Sequence, residues 1–436
     1  MNRSCTVRAL LFTFLLPVGL ATAQDLDVQA AADAIEPKVI EWRRDFHENP
    51  ELSNREFRTA GVIAAHLESL GIEVQTGVAH TGVVGILRGA SDGPVVGLRA
   101  DMDGLPVVER GDLPFKSEIT TTYRGQEVGV MHACGHDTHM AILMGVAEIL
   151  AADRDQFRGT VKFLFQPAEE GPPEGEEGGA ELMVKEGALK NPDVDAIFGL
   201  HIWAENDIGT IGYRPRGLMA GVQDFQIKVH GVQAHGSAPW MGIDPVVTAA
   251  QIINGLQTIV SRTVQLTRDP AVVTVGSIHG GVRSNIIPEE LEMVGTIRTF
   301  SDSDKELVHQ RIRDVAHGVA DAMGARVEVT IPLSTSYPVT FNDPELTARM
   351  VPSLERAAGA ENVQLIDAVT GAEDFSFFAN EVPGLYFFLG GKPLGQAKED
   401  TPSHHTPDFH IDEAGMKLGV KAMLNLTLDY LNGADN

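Results

Sequence analysis

The chain has 436 residues, which at ~150 residues per domain fits two or three domains whose cores need no disulfide or metal staple to fold. Hydrophobic residues at 43% and charged residues at 22% exclude wholesale disorder, collagen and coiled coil. With 60 acidic against 34 basic residues the formal net charge is −26, which argues against nucleic-acid partners and anionic membrane surfaces and suits attraction of cations.

The chain opens on a targeting pattern. Arg3 and Arg8 give a positive start, Ala9 to Leu20 is an apolar run interrupted by Pro17, and Ala21-Thr22-Ala23 offers a small-residue cleavage site before Gln24. This predicts a secretory signal peptide over residues 1–23, its apolar run too short to span a bilayer. The mature protein is then expected to be exported, periplasmic or secreted, and free of the membrane once the signal is cleaved. One cysteine remains, Cys134. Exported proteins mostly pair their cysteines, so a lone one is either buried and inert or held by something such as a metal.

Residues from about Ala30 to Leu70 read as helices. Ala60, Val62, Ile63, His66, Leu67 and Leu70 keep a helical period, with Gly71 as the stop. Val83–Leu87, Val95–Leu98, Val161–Phe165 and Ala196–Leu200 are apolar runs of strand length. Helical segments lie between them at Met140–Ala152 and Gly179–Glu186, and Gly171–Gly178 is a loop. Alternating strands and helices predict an α/β domain with a mainly parallel sheet.

The texture changes near Met219. Phe225–Val229 alternates like a half-exposed strand, and helices are expected at Pro245–Val260 and Lys305–Met323. Further strands are expected at Val272–Val275, Leu291–Ile297 and Arg326–Ile331. This predicts an inserted α+β unit over residues 219–333. The α/β domain is then built from 24–218 and 334–436, and closes with a helix from Glu413 to Leu431.

The densest chemistry is Met131-His132-Ala133-Cys134-Gly135-His136-Asp137-Thr138-His139. Gly135 lets the backbone turn so that the Cys134 thiolate and the His136 imidazole converge, a donor pair suited to Zn²⁺, Co²⁺ or Mn²⁺. Asp137 can cap the helix that follows. In Gln166-Pro167-Ala168-Glu169-Glu170-Gly171 two adjacent carboxylates leave the end of a strand in different directions. One can bind metal while the other serves as general base. His201 sits in Gly199-Leu200-His201-Ile202-Trp203 at a strand end, and Ser403-His404-His405-Thr406-Pro407 is a loop before the last helix. Together these loops supply enough donors for a two-metal site with positions left open for water. In the inserted unit, His235 lies in a turn and Asn285 offers an amide among glycines. Gly371-Ala372-Glu373-Asp374-Phe375 is an acidic turn, and His47, His66, His80, His230, His279 and His410 read as structural.

These residues resemble a known family. HACGHDTH, FQPAEEG, GLHIW, AHGSAPWMGIDP, GGVRSNIIP, GTIR, GAEDFSFF and HHTPDF occur in the same order as in metallopeptidase family twenty. The set looks most like its amidohydrolase branch of hippurate hydrolases, N-acyl-amino-acid amidohydrolases and indole-acetyl-amino-acid hydrolases. The resemblance covers essentially all of the mature chain. It implies a zinc-peptidase-like catalytic domain with a mixed sheet, an inserted lid or dimerisation domain, and a homodimer formed through that insert.

Carried over motif by motif, it implies two divalent metal ions, Zn, Mn, Co or Ni, held by Cys134, His136, Glu170, His201 and His405. Cys134 takes the place of a bridging Asp in other branches, and His405 is preferred to His404 on the His-x-Pro-x-Phe register. Glu169 would be the general base and later the proton donor. His235 would polarise the scissile carbonyl and stabilise the oxyanion, from its own or the other subunit's lid. Asn285, Arg298 and Gly371 would hold the substrate, and Asp101, Asp103 and Asp137 would support the site without binding metal. Many members carry His where this chain has Trp240, which bears on lid contacts to substrate rather than on the chemistry.

The expected substrate is a small N-acyl or N-aroyl amino acid or a short peptide. A metallo-aminopeptidase or dipeptidase is the runner-up, and it would need an acidic pocket for a free ammonium group. A non-catalytic periplasmic protein binding peptide or metal is the reading from a different class, and it leaves Glu169 and His235 without a purpose.

Overall fold

The computed structural model describes residues 26–334 and 336–433 besides Met1, so the predicted signal peptide lies outside the described residues apart from that methionine. Two helices come first, Val28–Glu48 and Phe57–Ser69. Asp27 caps the first by accepting a 3.0 Å hydrogen bond from the Ala30 amide. Ile35, Val39 and Phe46 on one, and Ile63 and Leu67 on the other, form the apolar stripes that pack into the core.

The main sheet has eight strands. In space they run Glu73–Val78, Gly82–Arg88, Thr160–Gln166, Val95–Asp101, Ala196–Asp207, Gly384–Lys392, Ile211–Tyr213 and Val363–Leu365. Thr160–Gln166, Val95–Asp101, Ala196–Asp207 and Gly384–Lys392 are mutually parallel, with antiparallel pairings on both flanks. This is the mainly parallel α/β sheet that the alternating pattern predicts, with the mixed character that the family resemblance implies. Its central strands are covered on both faces, which is why they are apolar throughout rather than alternating. Helices His136–Ala152 and Met416–Asn432 join Val28–Glu48 over one face, while Gly179–Lys185 and Phe375–Glu381 cover the other.

Two sequence boundaries move. The strand expected to stop at Leu200 continues to Asp207, because Gly384–Lys392 pairs along its whole length. His201 therefore lies inside a strand, opposite Phe388, instead of at a strand end. The helix expected from Met140 starts at His136, so a candidate ligand forms its first turn.

A second sheet is antiparallel, in the order Val272–Gly280, Glu290–Thr299, Gly221–His230, Arg326–Thr330. Helices Pro245–Arg262 and Asp302–Met323 pack on one face around Phe225, Ile227, Ile252, Met293 and Ile312, a cluster separate from the main core. Gly221–His230 alternates buried and half-exposed residues along its length, as a sheet with one open face requires. Among the described residues no helix is long and apolar enough to cross a membrane.

Candidate active site

The site forms where chain leaves the central parallel strands. Val95–Asp101 delivers Asp101 and, beyond its end, Asp103; Thr160–Gln166 leads into Glu169 and Glu170; Ala196–Asp207 carries His201. This is the side of an open parallel sheet on which ligands are usually bound. Gly135 has φ +95°, and a Cβ there would lie 2.3 Å from Ile202 Cγ2, so only glycine lets Cys134 and His136 turn onto His201's strand. Ala168 (φ 53°) and His405 (φ 63°) also occupy the left-handed region, at a cost of about 1–2 kcal/mol each. Each is held by a backbone amide: Ala168 N donates to Glu56 Oε1 at 2.9 Å, and His405 N to the Ala133 carbonyl at 2.8 Å.

Cys134 is central. Its Sγ lies 3.3 Å from His201 Nε2 and 3.3 Å from His405 Nε2. His405 Nε2 is in turn 3.0 Å from Glu170 Oε1. Ligand atoms of Cys134, His136 and His201 all fall within 4.8 Å of one another, as do those of Cys134, Glu170 and His405, and those of His136, Glu169 and Glu170. Cys134 belongs to the first two groups, His136 to the first and third, and Glu170 to the second and third. The five residues expected as ligands thus come together.

His404 and His405 are separated by their backbone partners. His404 Nε2 accepts from Ala204 N at 3.0 Å and its Nδ1 donates to the Cys134 carbonyl at 3.2 Å, so backbone engages both ring nitrogens. Burial, with His405 adding to it, lowers its pKa to about 3, and it stays neutral. His201 donates from Nδ1 to the Ile202 carbonyl at 2.5 Å, which fixes the tautomer and leaves the Nε2 lone pair facing Cys134.

Asp103 organises the carboxylate loop. Its Oδ1 accepts from Glu169 N at 3.0 Å, and its Oδ2 from Glu170 N at 3.1 Å and Ser53 Oγ at 2.8 Å. Oδ1 also faces His136 Nδ1 at 3.4 Å. Asp101 accepts from His139 Nδ1 at 2.6 Å and pairs with Arg99 at 2.7 Å. His139 Nε2 takes the amide of Ile202 at 2.8 Å, tying Asp101 to the strand that carries His201. Arg99 also meets Glu373 at 2.8 Å and Asp374 at 3.0 Å. This buried layer lies under Glu169, whose carboxyl shares a 4.8 Å cluster with Glu373 and Asp374. Burial, with Glu373 and Glu170 next in weight, holds Glu169 well above the usual carboxylate range.

Asp137 does not cap the helix. Gly135 is the N-cap residue and no side chain caps it. Asp137 lies inside the first turn, where its carboxylate turns to Arg43 Nε and His47 Nδ1, both at 2.8 Å. His47, read as structural, thus braces the helix from behind the site. His139, Arg99, Glu373 and Tyr337, whose hydroxyl donates to the Glu169 carbonyl at 2.9 Å, received no role in the sequence reading. His139 had a signal, since it stands three residues after His136 on one helix. Glu373 and Asp374 had only an acidic turn.

The residues of the second sheet region make their contacts elsewhere. His235 is exposed, with Nδ1 accepting from Ser237 N at 3.1 Å, and its strand pairs with Ile286–Ile287. Asn285 is its neighbour, accepting from Gly236 N at 2.8 Å. Arg298 donates from Nε to the Thr370 carbonyl at 3.2 Å, beside Gly371, whose carbonyl accepts from Ala220 N at 2.9 Å. The four expected lid and substrate residues therefore form two pairs, His235 with Asn285 and Arg298 with the Gly371 loop, and among the described residues no hydrogen bond joins either pair to Cys134 or Glu170.

The donor set fits two divalent cations. Both ring nitrogens of His136 are buried without a hydrogen-bond partner. Burial opposes charge on His136, yet Asp101 and Asp103 outweigh it and push its pKa up to about 10. Burial with Glu170 and Glu169 pushes the Cys134 thiol well up. A pocket of carboxylates, imidazoles and a thiol calls for positive charge, and a coordinating cation deprotonates a thiol outright.

Residues 97–429 match the model of peptidase family M20/M25/M40. The chain is 40% identical over 399 residues to thermostable carboxypeptidase 2 of Saccharolobus solfataricus, covering 91% of this chain and 96% of that protein. It is 35% identical over 443 residues to an IAA-amino acid hydrolase of Arabidopsis thaliana, covering 99% and 96%. Among solved structures, a Bacillus subtilis protein described as a dinuclear metal binding peptidase from the M20 family superposes with a TM-score of 0.75 at 34% identity, over 92% of this chain and 99% of that one. The chain belongs to peptidase family M20/M25/M40 and is a metal-dependent hydrolase of amide bonds.

Proposed function

We propose that the protein is an exported two-metal amidohydrolase that cleaves N-acyl or N-aroyl amino acids of the hippurate type, or short peptides with a free carboxylate. The observation that carries this reading is the Glu169 carboxyl. It is buried beside the His136 and Glu170 donors, and it is not needed to complete the group formed by Cys134, Glu170 and His405. A pure binding protein has no use for such a group. The carboxypeptidase and amino acid hydrolase in the relatives' names fit a substrate that carries a carboxylate. Export rests on the Arg3–Ala23 pattern.

Cys134, His136, Glu170, His201 and His405 would hold the cations. When bound, these lower the pKa of a water from ~15.7 towards ~7 and polarise the scissile carbonyl. Glu169 takes the proton from the attacking water as the new C–O bond forms. It returns that proton to the leaving nitrogen as the C–N bond breaks, so acid and amine are the products. His235, brought over the site by closure of its own lid or by the other subunit, donates to the developing oxyanion. Such a donor is typically worth ~2.7–4 kcal/mol.

The test is ninhydrin detection of amine release from N-acetyl-, N-benzoyl- and N-lauroyl-amino acids and dipeptides, with chelated protein and added Mn²⁺, Zn²⁺ or Co²⁺. Metal-dependent release that Glu169→Gln lowers by ~10²–10⁴-fold while bound metal stays constant is the expected result. Tight metal binding with no release from any panel member would move the assignment to a binding protein.

A further inference from the structure

A cavity of about 300 Å³ opens beside Glu170. Leu52, Leu105, Pro106 and Tyr123 are its apolar lining. Tyr123 ends the first strand of a small hairpin, Thr120–Tyr123 with Gln126–Gly129, that belongs to neither large sheet.

This lining is tied to the metal-site scaffold by backbone. Leu52 bridges Gly104, the Gly104 amide donates to the Glu51 carbonyl at 2.7 Å, and Leu105 exchanges 2.9 and 3.0 Å hydrogen bonds with Met131. Gly104 follows Asp103, which fixes the amides of Glu169 and Glu170. A group seated in the cavity is thus registered against the carboxylate loop by a short, hydrogen-bonded run of chain.

We infer that this cavity is the subsite for the acyl half of the substrate and selects a bulky apolar acyl group, an aroyl ring or a medium alkyl chain, over acetyl. The inference rests on the amidohydrolase reading above. The volume lies at the lower end of small-molecule sites and equals the liquid share of about ten waters, far more than a methyl group fills. Leu52, Leu105, Pro106 and the Tyr123 ring suit an apolar occupant. Of the two cationic side chains that line the cavity, Arg55 is paired with Glu176 at 2.6 Å, and the exposed Arg124 lies over the Tyr123 ring at 5.3 Å. Glu174 also lines the cavity and repels a carboxylate, while Glu170 would be engaged with the metal cations. The amino-acid half of the substrate, with its carboxylate, therefore lies on the other side of the scissile bond.

The experiment measures kcat/KM of the metal-loaded enzyme for N-acetyl, N-benzoyl and N-octanoyl derivatives of one amino acid, and for one acyl group on a series of amino acids. It is repeated with Leu105→Trp, which fills the cavity, and Tyr123→Ala, which removes its lining at the hairpin. Metal content is measured on the same samples. Wild type is expected to favour benzoyl and octanoyl over acetyl. Leu105→Trp should lower the benzoyl-to-acetyl and octanoyl-to-acetyl ratios by 10-fold or more, in line with what one or a few apolar contacts discriminate. Tyr123→Ala should lower the benzoyl-to-acetyl ratio by several-fold, and it keeps the test alive if the tryptophan variant does not fold. An active enzyme whose acyl ratios do not move in Tyr123→Ala, or whose amino-acid preference moves instead, overturns the assignment. Absence of amine release from every substrate by wild type is a different result, and it removes the amidohydrolase reading itself.

Discussion

Asp103 is the residue whose removal most directly probes how the site is held. Its carboxylate accepts from two successive backbone amides, Glu169 at 3.0 Å and Glu170 at 3.1 Å, and from Ser53 at 2.8 Å. Asp103→Asn keeps the shape and one acceptor oxygen, and turns the other oxygen into an NH₂ facing an N–H. One charge-assisted bond is lost, worth ~1.5–3 kcal/mol, and one buried donor is orphaned at ~1–3 kcal/mol. The loop can relieve part of this by rotating, which carries Glu169 and Glu170 off their positions. The outcome expected is a 10–100-fold fall in metal affinity or turnover, the usual effect of losing a residue that orients ligands, with secondary structure unchanged by circular dichroism. Metal affinity is read by competition with a chromophoric chelator, and turnover by amine release at saturating metal. Affinity and kcat both within about 2-fold of wild type, well short of the 10–100-fold loss, would refute the claim that Asp103 fixes the carboxylate loop.

Cys134→Ser should weaken both cations together, because Sγ belongs to two of the donor groups, and should shift preference from Zn²⁺ towards harder Mn²⁺; two-step metal titration checks this. Gly135→Ala should lower Tm and abolish stoichiometric metal binding, since the methyl would lie 2.3 Å from Ile202 Cγ2 at a φ of +95°. Arg99→Met leaves Asp101, Glu373 and Asp374 buried without their cation and should cost ~3–5 kcal/mol in urea unfolding. Chelation followed by thermal melting should lower Tm, and excess Zn²⁺ should restore it by mass action.

The parallel core was legible because its strands are buried on both faces and so read as unbroken apolar runs, as in Val161–Phe165 and Ala196–Leu200. Gly384–Lys392 carries the same signal, with nine buried residues around Leu385-Tyr386-Phe387-Phe388-Leu389, yet it was absorbed into a general α/β reading of the C-terminal part. The short flanking strands Ile211–Tyr213 and Val363–Leu365 gave no usable pattern, because three residues cannot display a period.

At the site, donor chemistry was local and convergence was not. Cys134-Gly135-His136 and Glu169-Glu170 announce metal and base chemistry through residue type and spacing, since thiolate, imidazole and carboxylate have few other reasons to share such turns. That Cys134 lies 3.3 Å from both His201 and His405, 67 and 271 residues away, is decided by the parallel strand that carries His201 and by the His405 amide bonded to the Ala133 carbonyl. The same holds for the layer beneath. Asp137 looked like a cap from sequence, but a buried Arg43 and His47 from another helix offer its carboxylate more than the helix end does. His404 and His405 are chemically identical in sequence, and only the backbone amide of Ala204 and carbonyl of Cys134 engage one and leave the other facing the thiol. Residue type fixes what a side chain can do and is written in the chain; which partners reach it depends on long-range packing, and that exists only once the strands are aligned.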